Sequence, residues 1–419
     1  TSGWSDRSLI EATTTLFELK DGKTHDLHIA RDPDWQKPGR NFASDYWYRW
    51  DGQKEMPVLD ENCQPVADDE GNPKIATRPY DESLKGHPCD YFEGGTLWSH
   101  WAWFMGTPTP TTIKPGDYNP DEGSLRNNHG KVDEGTRYMI EDLPQFLDAG
   151  GEYYYDEDWN GNSGRLFLRL PDRRNPNQAH IEASSTYSSI VIEDQSHIHI
   201  SGITFTRNGF ENNTITVDGN CSDIAVTHCR FYHLANNGLH FECSGDDDQM
   251  DDILIADNDF FKVKSSALNI AGRSRNNTSK HWIPGGELQH VEVLRNRMRN
   301  TGFRHNGRPW SNVASLNVGF PNTAEIAGNI IIRSFGSALV VHGGKGGGTN
   351  ANAPAYSVPF TRILVHHNKV EHAAIGVNDY GGLALWQGGP VYCYNNITGN
   401  AVRNLPGGFY SQGTMNLSF

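Results

Sequence analysis

The chain has 419 residues, 36% of them hydrophobic, and a formal charge of −15 from 51 acidic against 36 basic side chains. No window reaches the roughly 18 consecutive apolar residues that a membrane-spanning helix needs, and no Lys/Arg cluster offers a footing for nucleic acid. An acidic surface also repels polyanionic substrates such as pectate unless a local basic strip or a bound cation intervenes.

In chain order, Thr1-Ser2-Gly3-Trp4 has neither an initiator Met nor a basic-then-apolar signal segment, so the chain is expected to be processed or excised. Strand-like pieces at Thr15–Leu19 and Asp26–Ala30 alternate with polar turns, and Cys63–Lys85, dense in Asp, Asn, Pro and Gly, reads as one long surface loop. Cys63 and Cys89 sit in this segment and could bridge; the other cysteines, Cys221, Cys229, Cys243 and Cys393, lack C-x-x-C spacing, which excludes a zinc signature. The aromatic run Trp98–Phe104 reads as a packing cluster first and a sugar-stacking platform second. Pro108–Lys131 reads as loop. One helix is expected at Leu143–Asp148, closed by Gly150-Gly151, and then a hairpin from Glu152–Tyr155 and Arg165–Leu170.

From Thr186 to Thr398 a short pattern returns at intervals of 27 to 39 residues: an Asn with an apolar residue three before it and another two after it, at Asn258, Asn296, Asn329, Asn368 and Asn395. Val226-Thr227-His228-Cys229-Arg230-Phe231 fits one unit earlier with Cys in place of Asn. Each unit also carries a small residue leading into a short alternating strand, as at Leu239, Leu268, Leu316, Leu339 and Leu383. Self-similarity at this period signals a repeat architecture. Two strands per unit are too few for a propeller blade but suit a coil of a parallel β-helix, in which stacked Asn side chains form an amide ladder at an inward turn. The expected fold is therefore all-β, a right-handed parallel β-helix over residues 181–419, preceded by a loop-rich β region over 1–135 and a helix-turn and hairpin segment over 136–180.

Arg137–Asp156 followed by Gly164–Pro171 resembles the "R-Y-x-x-E-N … L-D-A-P-G-E-W-Y-x-D … G-x-L-Y-x-x-P" stretch of right-handed β-helix glycoside hydrolases, the group with β-helical β-xylosidases and related fucosidase or xylanase families. Leu27–Pro33 is similar to an upstream "L-x-x-A-R-Y-P-N" piece of the same proteins. The resemblance implies a secreted, carbohydrate-active protein and matches the family's catalytic "N-D-x-G-G" motif to Asn378-Asp379-Tyr380-Gly381-Gly382, with Asp379 as nucleophile or base. Read without the resemblance, Asp379 is an Asx-turn aspartate capping the backbone before the glycines. Glycoside hydrolysis needs a second carboxyl, yet the run matching the family's next acidic motif, Gly408–Gly413, carries Ser411 and Gln412. Glu371 or Glu325 is then the substitute within this chain, unless the acid lies beyond Phe419 or the protein no longer hydrolyses.

If the leucine column points inward, alternation turns His240, Asn269, Asn317, Val340 and Ala384 outward, followed two residues on by Glu242, Ala271, Gly319, His342 and Trp386. Asn269, Asn317, His342 and Trp386 are thus candidate sugar contacts, the indole as a stacking face. No metal or cofactor is required. The acidic run Asp246–Asp252 invites structural calcium but lacks loop-site spacing and reads better as a solvated loop. Gly343–Gly348 lacks the trailing Lys-Ser/Thr of a phosphate loop. N-glycosylation acceptors begin at Asn212, Asn220, Asn276, Asn277, Asn396 and Asn416. The alternative to a hydrolase is a non-catalytic surface or filament protein that self-associates through open β-helix ends. A polysaccharide lyase is less suited, because the outward column carries no Lys or Arg base.

Overall fold

The computed structural model describes residues 16–34, 47–99, 109–127, 132, 134–157, 164–184, 188–208, 213–245, 247–272, 274–276, 282–284, 286–302, 314–342, 362–373, 381–388, 391–399, 409–414 and 417–418. The chain divides into two compact units, one holding the described residues through Glu182 and the other those from Ala183 onward.

The second unit is a right-handed parallel β-helix. Three parallel sheets of eight, eight and seven strands take one strand each from successive coils, the last described coil giving strands to the first two sheets only. Coil 3, for example, runs Leu239–Cys243, Gln249–Ala256 and Asp259–Val263, so each coil carries three strands where the sequence pattern suggested two. The leucine column is in register from Leu239 to Leu268, Leu316, Leu339 and Leu383, and all five are buried; each contributes about 2 kcal/mol by leaving water. Phe205, Phe231 and Phe260 stack in the same interior, with centroids 5.0 and 4.7 Å apart.

The amide ladder is present, with one correction. Its members are Asn258, Asn296, Asn329, Asn368 and Asn396, not Asn395. In the rungs from Asn258 to Asn368, Nδ2 donates both to the next Asn Oδ1 and to a backbone carbonyl of the preceding coil, as Asn329 does to Asn368 Oδ1 at 2.9 Å and Val293 O at 2.8 Å. The Oδ1 accepts a backbone N–H as well, so Asn296 N donates to Asn329 at 3.0 Å. The residue before each ladder position has positive φ: His228, Asp257, Arg295, Gly328, His367 and Asn395. Asn395 is therefore the left-handed corner, and Tyr392 and Ile397, which made it look like a ladder residue, are exposed. Cys221, Cys229, Cys243 and Cys393 are buried free thiols.

The first unit is built from antiparallel pairings and one parallel pairing, Glu152–Asp156 with Lys23–Ile29, and has an aromatic core that includes Trp50, Phe92, Tyr118 and Tyr138. The expected hairpin is present as Glu152–Asp156 against Arg165–Arg169. The expected helix is a single 3-10 turn, Pro144–Phe146, too short to propagate before Gly150-Gly151. Cys63–Lys85 is not one loop: Ile75–Tyr80 pairs with Gly52–Pro57, and Cys63 is joined to Cys89. Strands also interrupt the stretch read as loop, at Thr109–Thr112, Tyr118–Asn119 and Ser124–Leu125. Strands from both sides of residue 135 share sheets: Glu152 pairs with His28 and Ile140 with Asp32, which joins the two stretches that carry the family resemblance.

Candidate functional site

The outer face of the first sheet of the β-helix carries a polar chain that no fold requirement explains. Strands Leu239–Cys243, Leu268–Gly272 and Leu316–Gly319 lie in parallel register, which stacks His240, Asn269 and Asn317 in one outward column. Asn317 Nδ2 donates to Asn269 Oδ1 at 2.7 Å, and Asn269 Nδ2 donates to His240 Nδ1 at 2.9 Å. Because that amide can only donate, Nδ1 is the bare ring nitrogen and the proton sits on Nε2, 3.2 Å from Glu242 Oε2. All the donors thus point one way, toward Glu242. At the opposite end Asn317 Oδ1 is buried and has no hydrogen-bond partner, an acceptor that costs free energy unless something donates to it.

The neighbouring outward column runs Glu242, Ala271, Gly319 and His342, as alternation predicts, and Trp386 is next in register with His342. Three rungs of about 4.8 Å separate Glu242 from His342, roughly 14 Å, with only Ala271 and Gly319 between. Gly319 needs no special backbone angle. A Cβ there would sit in ordinary contact, 3.5 Å from that of Ala271, and the glycine is itself buried. Exposure falls along the strip. The Glu242 side chain is 41% exposed and that of His240 18%, whereas Val340 and Ala384 are buried together with Ala314. Burial lowers the His342 imidazole to about 4, so it is neutral at pH 7. Phe320 tilts against the same ring at 5.5 Å between centroids.

Of the expected site residues, the structure brings Asn269 and Asn317 together and sets His342 in register with Trp386. Asp379 lies outside the described residues. Glu371 stands on the outer face of the third sheet, where its bond to Lys369 Nζ at 2.7 Å holds the carboxyl below its usual range. Glu325 is on the second sheet, 3.1 Å from His366 Nε2. His240 and Glu242 were visible in the outward columns, but only the coordinates reveal that their side chains connect. Among the acceptor asparagines, Asn396 has its amide committed to the ladder and to Val365 O at 2.8 Å, which is at odds with carrying a glycan. Asn220 caps neighbouring coils by accepting from Gln249 N and donating to Asp248. Asn276 is a strand residue, and Asn212, Asn277 and Asn416 lie outside the described residues. In the acidic run, Gln249–Ala256 is a strand, and Asp248 accepts from Gly245 N and Asn220.

No helix among the described residues is long and apolar enough to cross a membrane. No family model matches the sequence, and no curated protein does. Among solved structures, one described as a glycoside hydrolase superposes with a TM-score of 0.60 at 15% identity, over 96% of this chain and 72% of that one. At that identity the likeness is one of fold: this chain shares the architecture of a glycoside hydrolase structure.

Proposed function

We propose that the protein is a secreted, carbohydrate-active β-helix of glycoside hydrolase type that takes a neutral cell-wall oligosaccharide along the outer face of its first sheet. The observation that carries this is the chain Glu242–His240–Asn269–Asn317, which ends in an acceptor with no hydrogen-bond partner. A sugar hydroxyl supplies the donor that Asn317 Oδ1 lacks, and neutral His342 offers a further polar contact. Net charge favours an uncharged sugar over a polyanion.

For chemistry, the family resemblance assigns Asp379 the role of nucleophile or base. Glu242 is four rungs from Trp386, roughly 19 Å along the axis. That exceeds the separation of about 5 to 9.5 Å that a hydrolytic carboxyl pair requires for a partner at that strand, so Glu242 orients and binds. Glu371 would have to give up Lys369 before acting as an acid. The test is calorimetric titration of xylo-, fuco- and arabino-oligosaccharides, together with reducing-end release by wild type and Asp379→Asn. The expected result is binding by both proteins and turnover by wild type only. Absence of both binding and turnover in wild type would leave the structural, self-associating reading.

A further inference from the structure

The first unit contains a carboxylate group that its fold does not explain. Asp34, Asp148 and Glu152 each bring one oxygen to a common point, all within 4.8 Å of one another. They come from three places: the segment after strand Arg31–Asp32, the segment after the 3-10 turn Pro144–Phe146, and the first residue of strand Glu152–Asp156. Glu152 is only 2% exposed. Its Oε2 accepts from Ala149 N at 3.0 Å, and its Oε1 is buried with no hydrogen-bond partner. Three like charges converging on a buried oxygen should fly apart or neutralise in the absence of a cation. The basic residue nearby, the buried Arg31, faces Glu141, Glu152, Asp32 and Asp34 at once, and its Nε donates to Pro33 O at 3.0 Å, so one cation is shared among several carboxylates.

We infer that Asp34, Asp148 and Glu152 form a binding site for a hard divalent cation, with calcium the best fit. The donor set is all oxygen, with no His or Cys, which selects against zinc and the softer metals. Oxygens up to 4.8 Å apart match ligands on opposite sides of an ion whose bonds are about 2.4 Å. Asp148 is exposed, so water can complete the six to eight ligands calcium takes. Such an ion fastens three chain segments and adds positive charge where Arg31 alone faces Glu152 and Asp34. The acidic run Asp246–Asp252, where the sequence invites calcium, supplies no such grouping among its described residues.

The experiment uses the full chain, melted by circular dichroism in EDTA and again in 1 mM CaCl2 or MgCl2, with CaCl2 titration calorimetry alongside. Calcium should raise the melting temperature by about 5 °C, more than magnesium does. Glu152→Gln and the exposed Asp148→Asn should each erase that increment, while Asp251→Asn in the acidic run keeps it. In EDTA, Glu152→Gln should melt no lower than wild type, because it removes a buried charge rather than a needed one; this separates loss of the ion from misfolding. No calcium response in wild type overturns the inference, as does an increment that survives in Asp148→Asn and Glu152→Gln or disappears in Asp251→Asn.

Discussion

The two units meet the same demand, that buried polar groups be satisfied, in opposite ways. In the β-helix one solution is copied from coil to coil: each ladder asparagine serves the backbone of its neighbours and is served by the next. In the first unit each case is individual. Tyr138 donates to Asp81 at 2.6 Å, Arg78 to the carbonyl of Asp117 at 3.1 Å, and Trp50 to Ser99 at 3.1 Å. A repeated solution spreads the damage when one copy is removed, whereas an individual one confines it. The contrast also identifies the exceptions. A polar atom on the helix exterior that is buried with no hydrogen-bond partner, such as Asn317 Oδ1, owes nothing to the repeat.

The largest effect should come from breaking the ladder at its centre. Asn329→Ala takes the acceptor from Asn296 N–H and Nδ2, the side-chain donor from Val293 O and one of two donors from Asn368 Oδ1, so denaturant unfolding should show a loss of about 3 kcal/mol. Tyr138→Phe, which strips one donor from an Asp81 that also accepts from Ser83, should cost about 1 kcal/mol. Equal losses would remove the distinction between the units. Asn395→Gly, which keeps the left-handed corner, should stay within about 0.5 kcal/mol, and a larger loss there would return the rung to Asn395.

Next in size is a pH effect on the helix exterior. Folding holds His342 at about 4, below the ordinary 6.5, so its neutral form contributes stability that is complete above pH 6.5 and lost as pH falls toward 4. The residue is half-buried, which limits the loss to about 2 kcal/mol between pH 7 and pH 4. Urea midpoints across that range should slope for wild type and flatten for His342→Gln. An unchanged slope in the variant would assign the acid sensitivity to other groups. Smaller again is Asn317→Ala, which should weaken oligosaccharide binding about tenfold, the value of one hydrogen bond, with unfolding little changed. A stability loss without a binding loss would make Asn317 part of the scaffold.

Much of the β-helix could be read from the sequence because a stacked coil repeats its chemistry. The leucine column and the outward columns follow from alternation alone, so Asn269, Asn317 and His342 could be placed on one face of the first sheet, with Trp386 in register with His342. The last rung was misjudged because Asn395 and Asn396 are adjacent and Tyr392 and Ile397 imitate an inward pattern while facing solvent. The deciding signal is the left-handed corner before every rung, and Asn tolerates that conformation better than most residues. The first unit was far less legible. Its strands pair across irregular intervals, and Asp34 joins Asp148 and Glu152 only through folding. The link from Glu242 to Asn317 was hidden for a related reason: register shows which residues are neighbours but not which atoms they exchange.

The smallest predicted change is a gain, at the place where the ladder begins. Cys229 occupies the rung before Asn258, and its N–H already donates to Asn258 Oδ1 at 2.9 Å. Its thiol makes only long contacts, 3.7 Å to Ile200 O and 3.3 Å to Thr227 O. Ile200 is in register with Val226, whose carbonyl accepts from Asn258 Nδ2 at 2.9 Å, so an amide at 229 would find the equivalent acceptor in place. The left-handed corner it needs is already supplied by His228, with φ of 55°. Asn is close to Cys in volume, so the buried position should accept it without overpacking. Cys229→Asn is therefore expected to extend the ladder by one rung and raise stability by about 1 kcal/mol, read as a higher denaturant midpoint at unchanged slope. A lower midpoint would mean that the first coil needs an apolar group at this rung, and that the ladder starts at Asn258 because the packing, and not only the hydrogen bonding, changes there.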